Sequence, residues 1–202
     1  MKIFYETLYR FFRAPWDIGP RRELVELVES GRIPPGRAID LGSGTASNAI
    51  FLAQHGFEVV GVDFAQAAVE KGRRMAAQAG VKVDFLVDDL TDLRQVRGTF
   101  DLLVDYGTLD DLAGPDRDRY MRSVLPLARA GSLFLLYCFE WTPRWWERLL
   151  LRLRFLGAMA LEPGEAERRF SRWFEVEKIA REVDYRRWPP GYAVYLMTRK
   201  EL

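Results

Sequence analysis

A short apolar run, Ala38-Ile39-Asp40-Leu41, leads into Gly42-Ser43-Gly44-Thr45-Ala46, and a helical period of small and apolar residues follows. Strand, Gly-x-Gly turn and helix in that order make a ligand-binding edge. Glycines let a ligand approach the backbone closely, and the N–H groups left unpaired at a helix start face it. Asp63 stands 21 residues after Gly42, at the end of the next apolar run. A carboxylate placed there accepts hydrogen bonds from both hydroxyls of a ribose. The expected ligand is a nucleoside derivative.

Two residues narrow its identity. The dinucleotide fingerprint Gly-x-Gly-x-x-Gly ends on glycine or alanine, and this chain has Ser47 at that place. Asp40, two positions before Gly42, opposes a pyrophosphate and suits an ammonium. S-adenosylmethionine carries an ammonium and no phosphate. A nucleotide-dependent oxidoreductase is the rival on the same kind of sheet. A protein that binds S-adenosylmethionine without catalysis is another.

These residues need a scaffold, and the apolar pattern supplies one. Runs at 37–41, 58–63, 81–87, 100–105 and 133–139 read as strands. Helical stripes lie between them, at Ala46, Ala49, Ile50 and Ala53 and again at Met121, Val124, Leu125 and Ala128. Nearly continuous apolar strands alternating with amphipathic helices indicate a parallel sheet covered on both faces. A helix at 20–30, with Leu24, Val25, Leu27 and Val28 inward, flanks it. Pro163 starts another that carries Ala166, Phe170 and Trp173, and 174–183 pairs with 192–199 as a terminal hairpin around Pro189-Pro190-Gly191. The expected fold is α/β, doubly wound and Rossmann-like: a mostly parallel seven-stranded sheet with an antiparallel C-terminal hairpin strand. One domain over 1–202 is expected, with 1–30 as an N-terminal lid and flanking helix and 141–160 as an inserted amphipathic cap.

Composition excludes several classes. Thirty basic against 29 acidic side chains leave a formal net charge of +1, so no whole-molecule field draws the chain to nucleic acid, and none is expected as a partner. With 49% hydrophobic and 29% charged residues, the chain is globular rather than disordered or disulfide-stapled. A single cysteine, Cys138, excludes an internal disulfide and a cysteine-built zinc site, and no metal is expected. His55 is the one histidine and precedes Gly56, which marks a helix end rather than a catalytic base. Lys2, Glu6, Arg10 and Arg13 interrupt any signal-peptide core, and no uncharged run of about 18 residues is present to span a membrane. A cytoplasmic monomer or homodimer is expected.

Asp40-x-Gly42-x-Gly44 resembles the first motif, Asp/Glu-x-Gly-x-Gly-x-Gly, of the class I S-adenosylmethionine-dependent methyltransferases, with Ala46 at the third glycine. Ala14-Pro15-Trp16-Asp17-Ile18-Gly19-Pro20 and Val104-Asp105-Tyr106 resemble the small members of the thiopurine, halide and tellurite-resistance type. The resemblance implies S-adenosylmethionine as cofactor and a small-molecule acceptor. It implies that Asp40, Gly42, Ser43 and Gly44 hold the methionine and ribose portion, that Asp63 grips the ribose, and that Phe64 lies beside the adenine. Asp89 is the implied partner of the adenine amino group, with the N–H of Leu90 on the ring. Asp105 and Tyr106 are implied at the methionine end of the cofactor, where the acceptor enters.

Methyl transfer from a sulfonium is an in-line displacement that needs alignment and dehydration but no general acid. A base matters only for an acceptor that must lose a proton, and Asp110, Asp111 and Glu140 are the candidates, each expected at a solvated position. Trp16, Tyr106 and Trp146 are expected to touch the acceptor. On a helical wheel Trp145, Trp146, Leu149, Leu150, Leu153 and Leu156 share one face, with Arg152 and Arg154 off it. This stretch, 142–159, caps the site, joins subunits or meets a membrane surface. The cap is the favoured reading.

Overall fold

The computed structural model describes residues 2–12, 14, 17–142, 144–145, 160–186 and 189–201, and the structural statements below concern these. Trp16, Trp146 and most of the expected cap lie outside them. At the flanks of that stretch Trp141 is buried, whereas Trp145 is 80% exposed.

Seven strands form one sheet: β1 (Arg37–Leu41), β2 (Glu58–Asp63), β3 (Asp84–Val87), β4 (Phe100–Tyr106), β5 (Ala128–Phe139), β6 (Phe174–Val183) and β7 (Gly191–Arg199). Their order is β3-β2-β1-β4-β5-β7-β6, with β7 antiparallel to both of its neighbours and the other pairings parallel. Alternation along each strand splits the core in two. Ile39, Leu41, Val62, Leu103 and Phe134 bury one way, and Ala38, Val59, Leu102, Val104 and Leu135 the other.

Helices cover both faces. One face takes α2 (Arg22–Glu29), α3 (Ser47–Gln54) and α4 (Gln66–Gln78) through Leu24, Leu52 and Val69. The other takes α5 (Gly114–Val124) and α6 (Glu165–Phe170) through Tyr120, Val124 and Phe170. An N-terminal helix, α1 (Lys2–Phe11), lies apart from both cores. Its Tyr9 packs with Ala67 and Ala68 of α4. Among the described residues no helix is long and apolar enough to cross a membrane.

Several boundaries differ from the sequence pattern, each for a local reason. Strand β5 begins at Ala128, not at 133, because Ser132 Oγ accepts the Arg129 N–H and donates to Phe100 O, carrying the polar start of the strand past a register shift. Helix α5 ends at Val124, since Pro126 disfavours helix at the residue before it and a short 3₁₀ turn intervenes. Ala128 therefore belongs to the strand, and Trp173 falls in the turn after α6. Strand β3 starts only at Asp84. His55 caps the end of α3, its Nδ1 lying 2.8 Å from Phe51 O, and Gly56 follows at φ +84°.

Candidate active site

The carboxyl ends of β1 and β2 are tied together by the glycine turn. Gly42 and Ser43 both donate their N–H to Val62 O, at 2.8 and 2.9 Å. Gly44 N–H donates to Asp63 Oδ2 at 2.9 Å, and Ala65 N–H to Asp63 Oδ1 at 2.8 Å. Asp63 thus joins the turn to the entrance of α4. Burial pushes its carboxyl up to about 6, against the pull of those amides. The turn is left-handed at Gly42 (φ +78°), Gly44 (φ +51°) and Ala46 (φ +70°). A Cβ on Gly42 would lie 2.1 Å from Thr108 Oγ1, and one on Gly44 2.9 Å from the Tyr9 hydroxyl. Backbone comes this close only because both positions lack a side chain.

A cavity of 520 Å³ opens beside this turn. One end is lined by Gly42, Asp63, Phe64, Asp89 and Leu90, and the other by Arg21, Tyr106, Asp111, Leu112, Tyr137 and Phe139. Tyr5 and Tyr9 of α1 also line it. Asp89 accepts from the Thr91 N–H and hydroxyl, while its neighbour Asp88 accepts from the N–H groups of Asp89, Arg94 and Gln95 and so shapes the loop after β3. Tyr106 and Tyr137 stack at 5.0 Å, Tyr137 stacks on Tyr192 at 5.2 Å, and the Arg21 guanidinium lies 5.4 Å from the Tyr106 ring.

Four residues expected at the site sit behind the cavity lining: Asp40, Ser43, Gly44 and Asp105. Asp105 is fully buried, where it accepts the Tyr120 hydroxyl at 2.5 Å and the Thr108 N–H at 2.8 Å. It anchors the turn after β4, and burial raises it to about 7. Burial, and then the charge of Asp105, raises Asp40 to about 7 as well. Asp40 Oδ2 and Ser43 Oγ are buried with no hydrogen-bond partner. Buried polar atoms at a glycine turn without partners fit a ligand that brings its own donors and acceptors there.

Two of the three candidate bases are not solvated. Asp110 is fully buried and accepts the Phe139 N–H, and its carboxyl is pushed well up by that burial. Glu140 is fully buried too, at the far side of β5, paired to Lys178 at 3.1 Å and accepting the Tyr195 hydroxyl. Neither lines the cavity; Asp111 does, and it accepts a hydrogen bond from Tyr5. The sequence reading passed over Arg21, Tyr137 and Phe139. The two aromatics had a signal, since they occupy the carboxyl end of a parallel strand, where open α/β sheets bind ligands.

Residues 38–131 match the family model described as a methyltransferase domain, on a sheet whose order and single antiparallel strand fit that family. The chain is 31% identical over 130 residues to the 2-heptyl-1-hydroxyquinolin-4(1H)-one methyltransferase of Mycobacteroides abscessus, across 63% of this chain and 57% of that protein. It is 35% identical over 105 residues to the probable thiol methyltransferase 2 of Arabidopsis thaliana, across 50% of this chain and 46% of that protein. The chain thus spans about half the length of these curated relatives. Its fold is similar to that of Burkholderia thailandensis 1,6-didemethyltoxoflavin-N1-methyltransferase, a structure with bound 1,6-didemethyltoxoflavin and S-adenosylhomocysteine. The TM-score is 0.72 at 18% identity, covering 99% of this chain and 87% of that one.

Proposed function

We propose that this protein is a methyltransferase that moves the methyl group of S-adenosylmethionine onto a small aromatic acceptor. The observation that carries the reading is the continuity of the 520 Å³ cavity from Asp63 and Phe64 to Tyr137 and Phe139. A nucleoside needs the acidic and apolar residues of the first end, and a flat apolar acceptor suits the rings of the second. When bound, the cofactor supplies an electrophilic methyl on a sulfonium. Asp63 would hold the ribose, Phe64 and Leu90 the adenine faces, and Asp89 its amino group. Asp40, Gly42, Ser43, Gly44 and Asp105 would hold the amino-acid end, the last from beneath the turn.

The protein's part in the transfer is to align acceptor and donor and to keep water out. Tyr5 and Tyr9 in the cavity lining serve the second purpose. Of the two relatives, one is named for a hydroxyquinolone and the other for thiols, which supports a small acceptor and leaves its accepting atom to the chemistry of the cavity. Calorimetric titration with S-adenosylhomocysteine and with NAD tests the cofactor. Saturable binding of the first and none of the second is expected, and the reverse would restore the oxidoreductase reading. Transfer of labelled methyl to aromatic acceptors then separates catalysis from binding alone.

A further inference from the structure

The acidic residues that line the cavity differ in what holds them. Asp63 is held by two backbone N–H groups, Asp89 by Thr91, and Asp116 by Arg119 at 3.0 Å. Asp111 is held by a phenol, the Tyr5 hydroxyl on Asp111 Oδ2. Tyr5 also meets Phe64 edge-on at 5.6 Å, so the contact bridges from the nucleoside end of the cavity to the loop after β4. Asp111 lies five residues beyond the end of that strand and shares the cavity with Leu112, Tyr106, Tyr137 and Phe139.

We propose that Asp111 is the base that takes the hydroxyl proton of a planar aromatic acceptor, with Tyr5 as the residue that positions its carboxylate. The proposal rests on the methyl-transfer reading above and adds the acceptor's chemistry to it. The acceptor oxygen forms its bond to the methyl carbon, the carbon–sulfur electron pair leaves with sulfur, and the hydroxyl proton goes to Asp111. Without that last transfer the product would be a protonated ether. A thiol acceptor has no such need, because an aromatic thiol loses its proton to water near neutrality.

The surroundings suit a carboxylate that gains a proton during the reaction. Burial raises Asp111, and the Tyr5 hydrogen bond draws it back down. Asp110 and Asp105 face it from the sheet side, as their own raised values reflect. Asp116 and Arg119 face the same cavity from α5 as a pair. A phenol partner can release or retake its hydrogen bond as the carboxylate changes charge. A backbone clamp like that on Asp63 favours the charged form.

The test uses 1-naphthol, 1-naphthalenethiol and 1-methoxynaphthalene as probes with the intact chain. The wild type is expected to methylate 1-naphthol. Asp111→Asn should lower kcat for 1-naphthol by about 100-fold or more, and by at least about tenfold less for the thiol. Binding gives a readout that needs no turnover: in the presence of S-adenosylhomocysteine the wild type should prefer 1-naphthol to its methyl ether, and Asp111→Ala, which has no side-chain acceptor, should lose that preference. Tyr5→Phe removes the influence that lowers Asp111, so it should move the acidic limb of the pH–rate profile to higher pH. A Tyr5 that merely packs would leave the limb in place. Equal losses for naphthol and thiol would overturn the proposal, as would an unmoved limb. So would S-adenosylhomocysteine binding without any methylation of 1-naphthol, with the cofactor reading left standing. Absence of S-adenosylhomocysteine binding would instead remove the reading beneath it.

Discussion

The N–H of Gly44 donates to Asp63 Oδ2 at 2.9 Å, so the carboxylate expected to grip a ribose is also the one that fastens the glycine turn. Asp63→Ala is therefore expected to act twice, removing charge-assisted bonds to the ligand and loosening the loop that cradles it. Such bonds are worth about 1.5–3 kcal/mol each. Calorimetry should show at least about a tenfold loss in S-adenosylhomocysteine affinity. Asp63→Asn, which keeps one acceptor oxygen near Gly44, should lose less. Equal affinity in a folded Asp63→Ala protein would take Asp63 out of the site.

Protonation of the same carboxyl should be visible in binding. Its value of about 6 in the folded protein, set mainly by burial, means that the accepting form dominates at pH 8 and is depleted at pH 5. Affinity for S-adenosylhomocysteine should fall as pH drops below 6, by about tenfold per unit at most. The Asp63→Asn protein should show a flatter profile between those limits. A wild-type affinity independent of pH from 8 to 5 would contradict the assignment.

Stability should run the other way. Asp40 and Asp105 are both raised by burial to about 7, well above their unfolded values, so the folded state binds protons that the unfolded chain has released. Their contribution is fully present below the unfolded carboxylate range and is lost as pH rises through about 7. Each of the two carboxyls should contribute about 2 kcal/mol, and hence about 4–8 °C in Tm, to the gain of the unliganded protein between pH 8 and pH 5.5. Asp40→Asn should reduce that slope. A Tm that rises with pH over this window would show that these carboxyls are not held as the geometry implies.

How far the sequence reveals all this depends on whether a residue's role is local. Strands β1, β2 and β6 have their expected bounds, β2 because a run of valines stands between the polar ends Glu58 and Asp63, whereas the start of β5 is concealed by Arg129-Ala130-Gly131, whose pairing depends on Ser132 reaching across to Phe100. At the site, neighbours diverge for the reason that strands alternate. Tyr106 turns to the cavity and Asp105 to Tyr120, and nothing in the pair Asp105-Tyr106 says which will do which. The stack of Arg21, Tyr106, Tyr137 and Tyr192 brings together elements far apart in the chain and has no sequence period to betray it.

Gly44→Val should separate site from fold. Its branched side chain would meet the Tyr9 hydroxyl, and φ +51° disfavours it further. The strain falls on the turn at the carboxyl end of β1 rather than within a strand or helix, so circular dichroism should match the wild type while S-adenosylhomocysteine binding disappears. Normal binding by this variant would show that the turn does not contact the cofactor.

Ala46 offers the finest test of the turn, because it holds a left-handed conformation at φ +70° while fully buried. Left-handed backbone costs an alanine about 1–2 kcal/mol, which glycine would escape. Against this, the Ala46 methyl packs toward α4, where a Cβ on Gly72 would lie 3.2 Å from it, and losing a buried methyl costs about 0.8 kcal/mol plus the added freedom of an unfolded glycine. The two effects nearly cancel, so Ala46→Gly should change Tm by less than about 3 °C and leave S-adenosylhomocysteine affinity intact. Gly72→Ala has no such compensation. Its new methyl would crowd Ala46 and also Phe85 Cε1, 3.0 Å away, and should cost about 1–3 kcal/mol. Combining the two changes should recover part of that loss, because Ala46→Gly vacates one of the two clashing contacts. Strict additivity in this double-mutant cycle would mean that the α4 face and the turn do not touch through these residues.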